Sequence, residues 1–191
     1  NNGNISTYAE SSNDALAAGI KVGDSLGGSI TNSGTIEATA KGDKISTAFG
    51  ISAVSAENIT FTNAGTISTN AESKDGEAVS VATEFWGFYD QYNTGADEYS
   101  LINSEYTNNG TIKAVANGKE NNNVTGIYLL DGGQVTVNGN LKLTLRNAVP
   151  ATSGASLGAD VAHYYTSGIY AGYGGNTGDG SHGDSKFTVN G

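Results

Sequence analysis

One phrase recurs along the chain: Thr31-Asn32-Ser33-Gly34-Thr35-Ile36, then Thr62-Asn63-Ala64-Gly65-Thr66-Ile67, then Thr107-Asn108-Asn109-Gly110-Thr111-Ile112. Looser copies begin at Asn1-Asn2-Gly3-Asn4-Ile5 and Thr136-Val137-Asn138-Gly139-Asn140-Leu141, and a truncated one is Thr188-Val189-Asn190-Gly191. The marker glycines 3, 34, 65, 110, 139 and 191 are spaced 31, 31, 45, 29 and 52 residues apart. A second phrase falls between them, at Gly19-Ile20, Gly50-Ile51, Gly87-Phe88, Gly126-Ile127 and Gly168-Ile169. A repeat of about 30 residues that cannot bury its own apolar face needs neighbours of the same kind, so the period predicts a solenoid. The surplus length predicts two insertions, near 72–104 and 146–166.

Within each repeat the apolar period is 2. Ile36-Glu37-Ala38-Thr39-Ala40, Ile112-Lys113-Ala114-Val115-Ala116 and Leu141-Lys142-Leu143-Thr144-Leu145 all place apolar residues at the first, third and fifth positions. That alternation marks half-buried strands. The Asn-x-Gly step is turn chemistry, since both residues tolerate positive φ. Only Asp14-Ala15-Leu16-Ala17-Ala18 carries a helical signal, and it runs into Gly19. With 28 Gly against 1 Pro, the chain has turns in abundance and few residues that would interrupt a hydrogen-bond ladder.

Stacking the repeats predicts an all-β fold, a parallel β-solenoid of about five to six coils, with three interior ladders. The first is Ile5, Ile36, Ile67, Ile112 and Leu141. The second is Ile20, Ile51, Phe88, Ile127 and Ile169. The third is Ile30, Phe61, Tyr106, Val135 and Phe187. Each buried Ile or Phe contributes roughly 1.5–3 kcal/mol. Val137 and Val189 stand where Asn32, Asn63 and Asn108 stand in earlier coils, which points that position inward and predicts stacked, mutually bonded amides. Trp86 aligns with Ala18 and Phe49 and is expected to plug the core.

Phrases such as Ile30-Thr31-Asn32-Ser33-Gly34-Thr35-Ile36, alternating with Gly-Ile strands, resemble the passenger domains of bacterial autotransporters. The resemblance spans nearly the whole chain apart from the two insertions. It implies a right-handed parallel β-helix, linked in that family to a C-terminal outer-membrane barrel, at the bacterial cell surface or secreted. It says little about activity, because such passengers include adhesins, toxins, proteases and esterases. The chain lacks Met and both opens and closes on a repeat, as expected of a fragment or processed product.

The expected role is non-enzymatic, an adhesin-like or spacer segment that needs no cofactor. Two other readings are a secreted polysaccharide-active β-helix enzyme and a self-assembling extracellular filament or coat subunit. Gly23-Asp24-Ser25-Leu26 and Asp160-Val161-Ala162-His163 spell the nucleophile and Asp-x-x-His blocks of GDSL esterases. The intervening block of that family is missing, and Ser25 falls inside an undisturbed 31-residue coil, so Ser25 reads as a turn residue. The segment 174–184 is similar to one imperfect copy of a calcium β-roll repeat, with Asn176, Asp179 and Asp184 as oxygen donors; a Gly-rich loop is the better reading. His163 and His182, the two histidines, with no Cys, are too few for a usual zinc cluster. Nor does a repeated acidic cluster mark the outward positions Glu37, Ser68, Lys113 and Lys142, as a polysaccharide-cleaving groove would.

A formal net charge of −10 opposes binding to nucleic acid or to anionic membrane surfaces. No apolar run reaches transmembrane length, so direct membrane insertion is not expected of this segment. The remaining partners are a host-cell receptor, a glycan or another copy. For these the candidate contact is a stripe of outward tyrosines, Tyr89, Tyr128 and Tyr170, beside the insertion residues Tyr92 and Tyr99. Tyr offers rigid amphipathic contact area, although stacked rings also stabilise a sheet as cross-strand neighbours.

Overall fold

The computed structural model describes residues 1–25, 27–56, 58–85, 88–89, 99–100, 104–130, 133–146, 165–172 and 185–190. Five coils of three strands run along the chain. The first holds β1 (Asn4–Ser11), β2 (Asp14–Ser25) and β3 (Gly28–Asn32), and the second β4 (Thr35–Gly42), β5 (Ile45–Ala56) and β6 (Ile59–Asn63). In the third, β7 (Thr66–Ser73) and β8 (Glu77–Phe85) are followed by a short ribbon, β9 (Phe88–Tyr89) and β10 (Tyr99–Ser100), before β11 (Glu105–Asn108). The fourth has β12 (Thr111–Asn117), β13 (Glu120–Leu130) and β14 (Gly133–Val137), and the fifth β15 (Asn140–Arg146), β16 (Tyr165–Gly172) and β17 (Ser185–Val189). Like strands pair in parallel into three five-stranded sheets, β1-β4-β7-β12-β15, β2-β5-β8-β13-β16 and β3-β6-β11-β14-β17. The fold is the expected all-β parallel solenoid. Even the weak helical signal at Asp14–Ala18 is strand, because pairing along β5 outweighs local propensity.

The interior is built from the ladders. Ile5, Ile36, Ile67, Ile112 and Leu141 pair in successive register, and the three central isoleucines are fully buried. Ile30, Phe61, Tyr106, Val135 and Phe187 form the third ladder as expected. Inside it, Phe61 stacks on Tyr106 at 4.8 Å between ring centroids, and Phe85 meets Tyr106 edge-on at 5.4 Å.

The second ladder differs from expectation in its third coil. The register runs Ile20, Ile51, Thr83, Ile127, Ile169, so Thr83 occupies the place assigned to Phe88. The turn after β7 is one residue longer than the turn after β4, and Ala82, not Gly87, is the small residue preceding this rung. A polar Thr is tolerated among isoleucines because its hydroxyl hydrogen-bonds the Tyr106 hydroxyl at 3.2 Å. Residues 72–85 therefore remain in the coil, and the surplus of this coil follows Phe85. Val81, rather than Trp86, is the register partner of Phe49; Trp86 lies outside the described residues. In the last coil the surplus divides in two, between β15 and β16 and again between β16 and β17, where Leu130 pairs with Gly172 but Gly133 with Ser185. Tyr165 and Thr166 belong to the coil, and the rest of the 146–166 insertion beyond Arg146 lies outside the described residues.

At the corner between the third and first sheets, Asn32, Asn63 and Asn108 are fully buried. Asn32 Nδ2 donates to Asn63 Oδ1 at 2.8 Å, and Asn63 Nδ2 to Asn108 Oδ1 at 2.7 Å. The adjoining glycines are needed for close approach, not for positive φ, which among the described glycines occurs only at Gly27 and Gly28. A Cβ on Gly65 would fall well inside contact distance of the Gly34 carbonyl oxygen, and one on Gly110 would meet the Gly65 oxygen in the same way.

Two substitutions test this corner. Asn63→Ala takes one acceptor from the Asn32 amide, which keeps only the longer bond to the Thr66 carbonyl at 3.3 Å, and strands the Asn108 side-chain oxygen, at roughly 1–3 kcal/mol for each buried group left unsatisfied. Gly65→Ala forces backbone apart and should destabilise by about 1–3 kcal/mol. Both should lower the urea midpoint followed by circular dichroism. Asn1→Ala, at an exposed position of the same ladder, should lower it much less.

Candidate functional site

On the second sheet, core residues Ile51 and Ala53 flank Ser52, so alternation turns Ser52 outward; Glu84 is turned outward in the same way next to inward Phe85. The register then sets Lys21, Ser52, Glu84, Tyr128 and Tyr170 side by side across all five coils. Tyr128 and Tyr170 are therefore neighbours in register on adjacent strands. Tyr89 is not their neighbour: its expected rung is held by Glu84, because the third coil reaches that rung before the insertion begins. Instead Tyr89 pairs with Tyr99 across the antiparallel ribbon β9–β10. Tyr92 lies outside the described residues.

β9 lies against β5, whose Ser52 is in the outward line. Although on the outer face, Ser52 is only 3% exposed and Glu84 9%. Ser52 Oγ donates to Glu84 Oε2 at 2.8 Å. The outer face of the second sheet is thus covered at its centre, and the line continues from this covered carboxylate to half-buried Tyr128. Sequence reasoning missed Ser52 and Glu84. Their signal was the Gly-Ile phrase, disguised in the third coil as Ala82-Thr83.

A second charged surface runs along the outer end of the first sheet. Glu10, Lys41, Glu72, Asn117 and Arg146 succeed one another in register. Lys41 Nζ meets Glu72 Oε2 at 3.1 Å, and Tyr8 donates to Glu10 at 2.7 Å. Glu10, Lys41, Glu72 and Asn117 border a shallow groove of about 280 Å³ that continues over Asp43 and Lys74. The Asn70 amide, bonded at 2.8 Å, and then Lys41 hold the Glu72 carboxyl below its ordinary value against the opposing effect of burial. Glu72 in turn holds the Lys41 ammonium above its usual range. The Tyr106 phenol is pushed up by burial, as befits a core residue bonded to Thr83 rather than a proton donor.

Of the esterase-like residues, Ser25 ends β2 opposite Ala56, while Asp160 and His163 lie outside the described residues. The same holds for His182 and for the calcium-like donors Asn176, Asp179 and Asp184. Among the described residues no group of three His, Cys, Asp or Glu side chains is placed to hold a metal, and no helix is long and apolar enough to cross a membrane. No protein-family model, curated protein or solved structure matches the chain.

The charged line makes a pH prediction. A carboxyl whose folded value is depressed stabilises fully above its unfolded value, and that contribution is lost as pH falls through the folded one. Glu72→Gln should therefore lower the urea midpoint at pH 7, and the gap to the unmodified chain should close as pH drops below 4.5, the ordinary value of the group. The gap should be small, because the Glu72 side chain is 39% exposed.

Proposed function

We propose that this chain is a non-enzymatic surface passenger segment, an adhesin-like or spacer rod of the autotransporter type, working at a bacterial cell surface or after secretion. The observation that carries this reading is the division of labour between the two sides of the wall. Interior positions repeat from coil to coil, whereas outward positions change: Glu37, Ser68, Lys113 and Lys142 share one line, as do Lys21, Ser52, Glu84 and Tyr128. A repeated interior makes a stiff support, and a variable exterior distributes chemistry over it. The ribbon β9–β10 then adds aromatic residues beside the outward line at one level of the rod, as contact loops do on rigid scaffolds.

The contact surface in this reading is the second sheet's outer face: Tyr128 and Tyr170 with Tyr89, Tyr92 and Tyr99 of the third-coil insertion. Its partner is a host-cell receptor or a glycan. Aromatic side chains concentrate binding energy where water is excluded around them, and the buried Ser52–Glu84 pair lies on this face.

Tyr128→Ser with Tyr170→Ser, and separately Tyr89→Ser with Tyr99→Ser, should each weaken attachment to cells or to immobilised glycans by about tenfold or more. The strand signal in circular dichroism should be retained. Attachment unchanged in both double variants would remove this face as the site. Loss of the strand signal together with attachment would assign the rings to holding the sheet.

A further inference from the structure

The strands of the second sheet change sides part-way along. In β5, Ala48, Ile51 and Ala53 all belong to the core, so the alternation slips at Gly50, where a Cβ would meet the inward Ile67 side chain. Ser52 and the outward tyrosine Tyr128 lie after this slip. Before it, the outward residues of β5 are Ile45, Thr47 and Phe49, because Ser46 and Ala48 between them are fully buried. In β8 they are Glu77, Val79 and Val81, alternating with fully buried Ala78, Ser80 and Ala82. The register sets Ile45 beside Glu77, Thr47 beside Val79 and Phe49 beside Val81.

Ile45, Phe49, Val79 and Val81 thus form an apolar strip on the outside of the wall, apart from the interior core. The first sheet shows how unusual that is. In the same two coils its outward residues are Glu37, Thr39 and Lys41 on β4 and Ser68, Asn70 and Glu72 on β7. Nor is the strip an effect of a sheet edge, since β5 and β8 each have a strand on both sides. One end of it is already covered: Val81 is buried, and so is its neighbour Thr125 on β13. Thr47, Phe49 and Val79 are half-buried, and Ile45 at the far end is 44% exposed. The apolar surface therefore continues from a covered patch into solvent.

Acidic groups border the open end. Glu77 and Asp14 flank Ile45 on the neighbouring strands, and Asp43 and Asp75 lie in the adjoining turns. Of the lysines at these turns, Lys119 faces Asp75 at 4.0 Å. Burial alone raises the Glu77 carboxyl above its ordinary value, with no neighbouring cation to offset it. Backbone donors and acceptors of β5 and β8 are taken up by the strands on either side, so an added strand would find nothing to bond. A helix satisfies its own backbone and can lie on such a face by its side chains.

We propose that this strip is the docking site of a basic amphipathic helix of a partner protein, its apolar side on Ile45, Thr47, Phe49 and Val79 and its Lys or Arg side chains on Glu77 and Asp14. A second copy is a poor occupant, because each copy carries a net charge of −10. The site goes beyond the attachment reading, which uses the tyrosines and the third-coil insertion.

A fluorescently labelled peptide of leucine and lysine at helical period tests it by anisotropy, with a leucine–glutamate peptide of the same pattern as control. The lysine peptide should bind and the glutamate peptide should not. Ile45→Ser with Val79→Ser should weaken binding by about tenfold or more while the strand signal in circular dichroism is retained. Glu77→Lys should weaken it about tenfold. Glu37→Lys makes the same change in net charge on the first sheet and should weaken it less than about twofold. Equal losses in Glu77→Lys and Glu37→Lys would reduce the contact to non-specific charge and overturn the proposal. So would equal binding of the two peptides, or binding that survives Ile45→Ser with Val79→Ser.

Discussion

Apart from the short β9–β10 ribbon, no described strand in a coil of this solenoid pairs with another strand of the same coil. The backbone groups of β4 are satisfied by β1 on one side and β7 on the other, 31 residues away in each direction. Everything else follows from that remoteness. Equivalent residues must lie directly above one another at about 4.8 Å, so a side chain that suits the interior once suits it again. Hence isoleucine stacks on isoleucine, and the buried corner residues Asn32, Asn63 and Asn108 bond one another. The corner glycines answer the same demand. Coils this close leave the carbonyl of one where the Cβ of the next would be.

Because each interior position is seen several times, the sequence discloses the interior well. The first and third ladders, the inward Asn and the corner glycines are all legible from phrases that recur almost unchanged. The second ladder is legible in four coils and lost in one. There the third coil exchanges Gly for Ala82 and Ile for Thr83, gains a residue in the turn before β8, and carries a false Gly87-Phe88 match five residues later. Thr83 fits only because Tyr106, which belongs to a different strand and ladder, supplies a hydroxyl. Pattern reading along one ladder has no access to that cross-ladder contact.

The outer face is much less legible, for the converse reason. Outward residues do not repeat, so a single displaced rung reassigns them without contradicting any pattern. That displacement put Tyr89 beside Tyr128 in the sequence reading and hid Glu84, which holds the place. The pairing of Tyr89 with Tyr99 rests on an antiparallel ribbon whose two strands are nine residues apart and share no repeat with the coils. Burial of Ser52 and Glu84 on the outside of the wall likewise depends on what folds over them, which the period of the coil does not encode.

The interior amides also divide the rod into two blocks. Through Asn108 the corner is polar within; from Val137 onward it is apolar within, and the amides have moved one residue outward to Asn138 and Asn190. At this corner the coils of the first block are chemically alike, so a coil gained or lost there would leave each Asn meeting another Asn. Each such event would alter the reach of the rod by about 4.8 Å while leaving the wall continuous. At the boundary between blocks the same event would set Asn against Val out of order. The corner ladder thus accommodates a change in coil number before Asn108 more readily than after it.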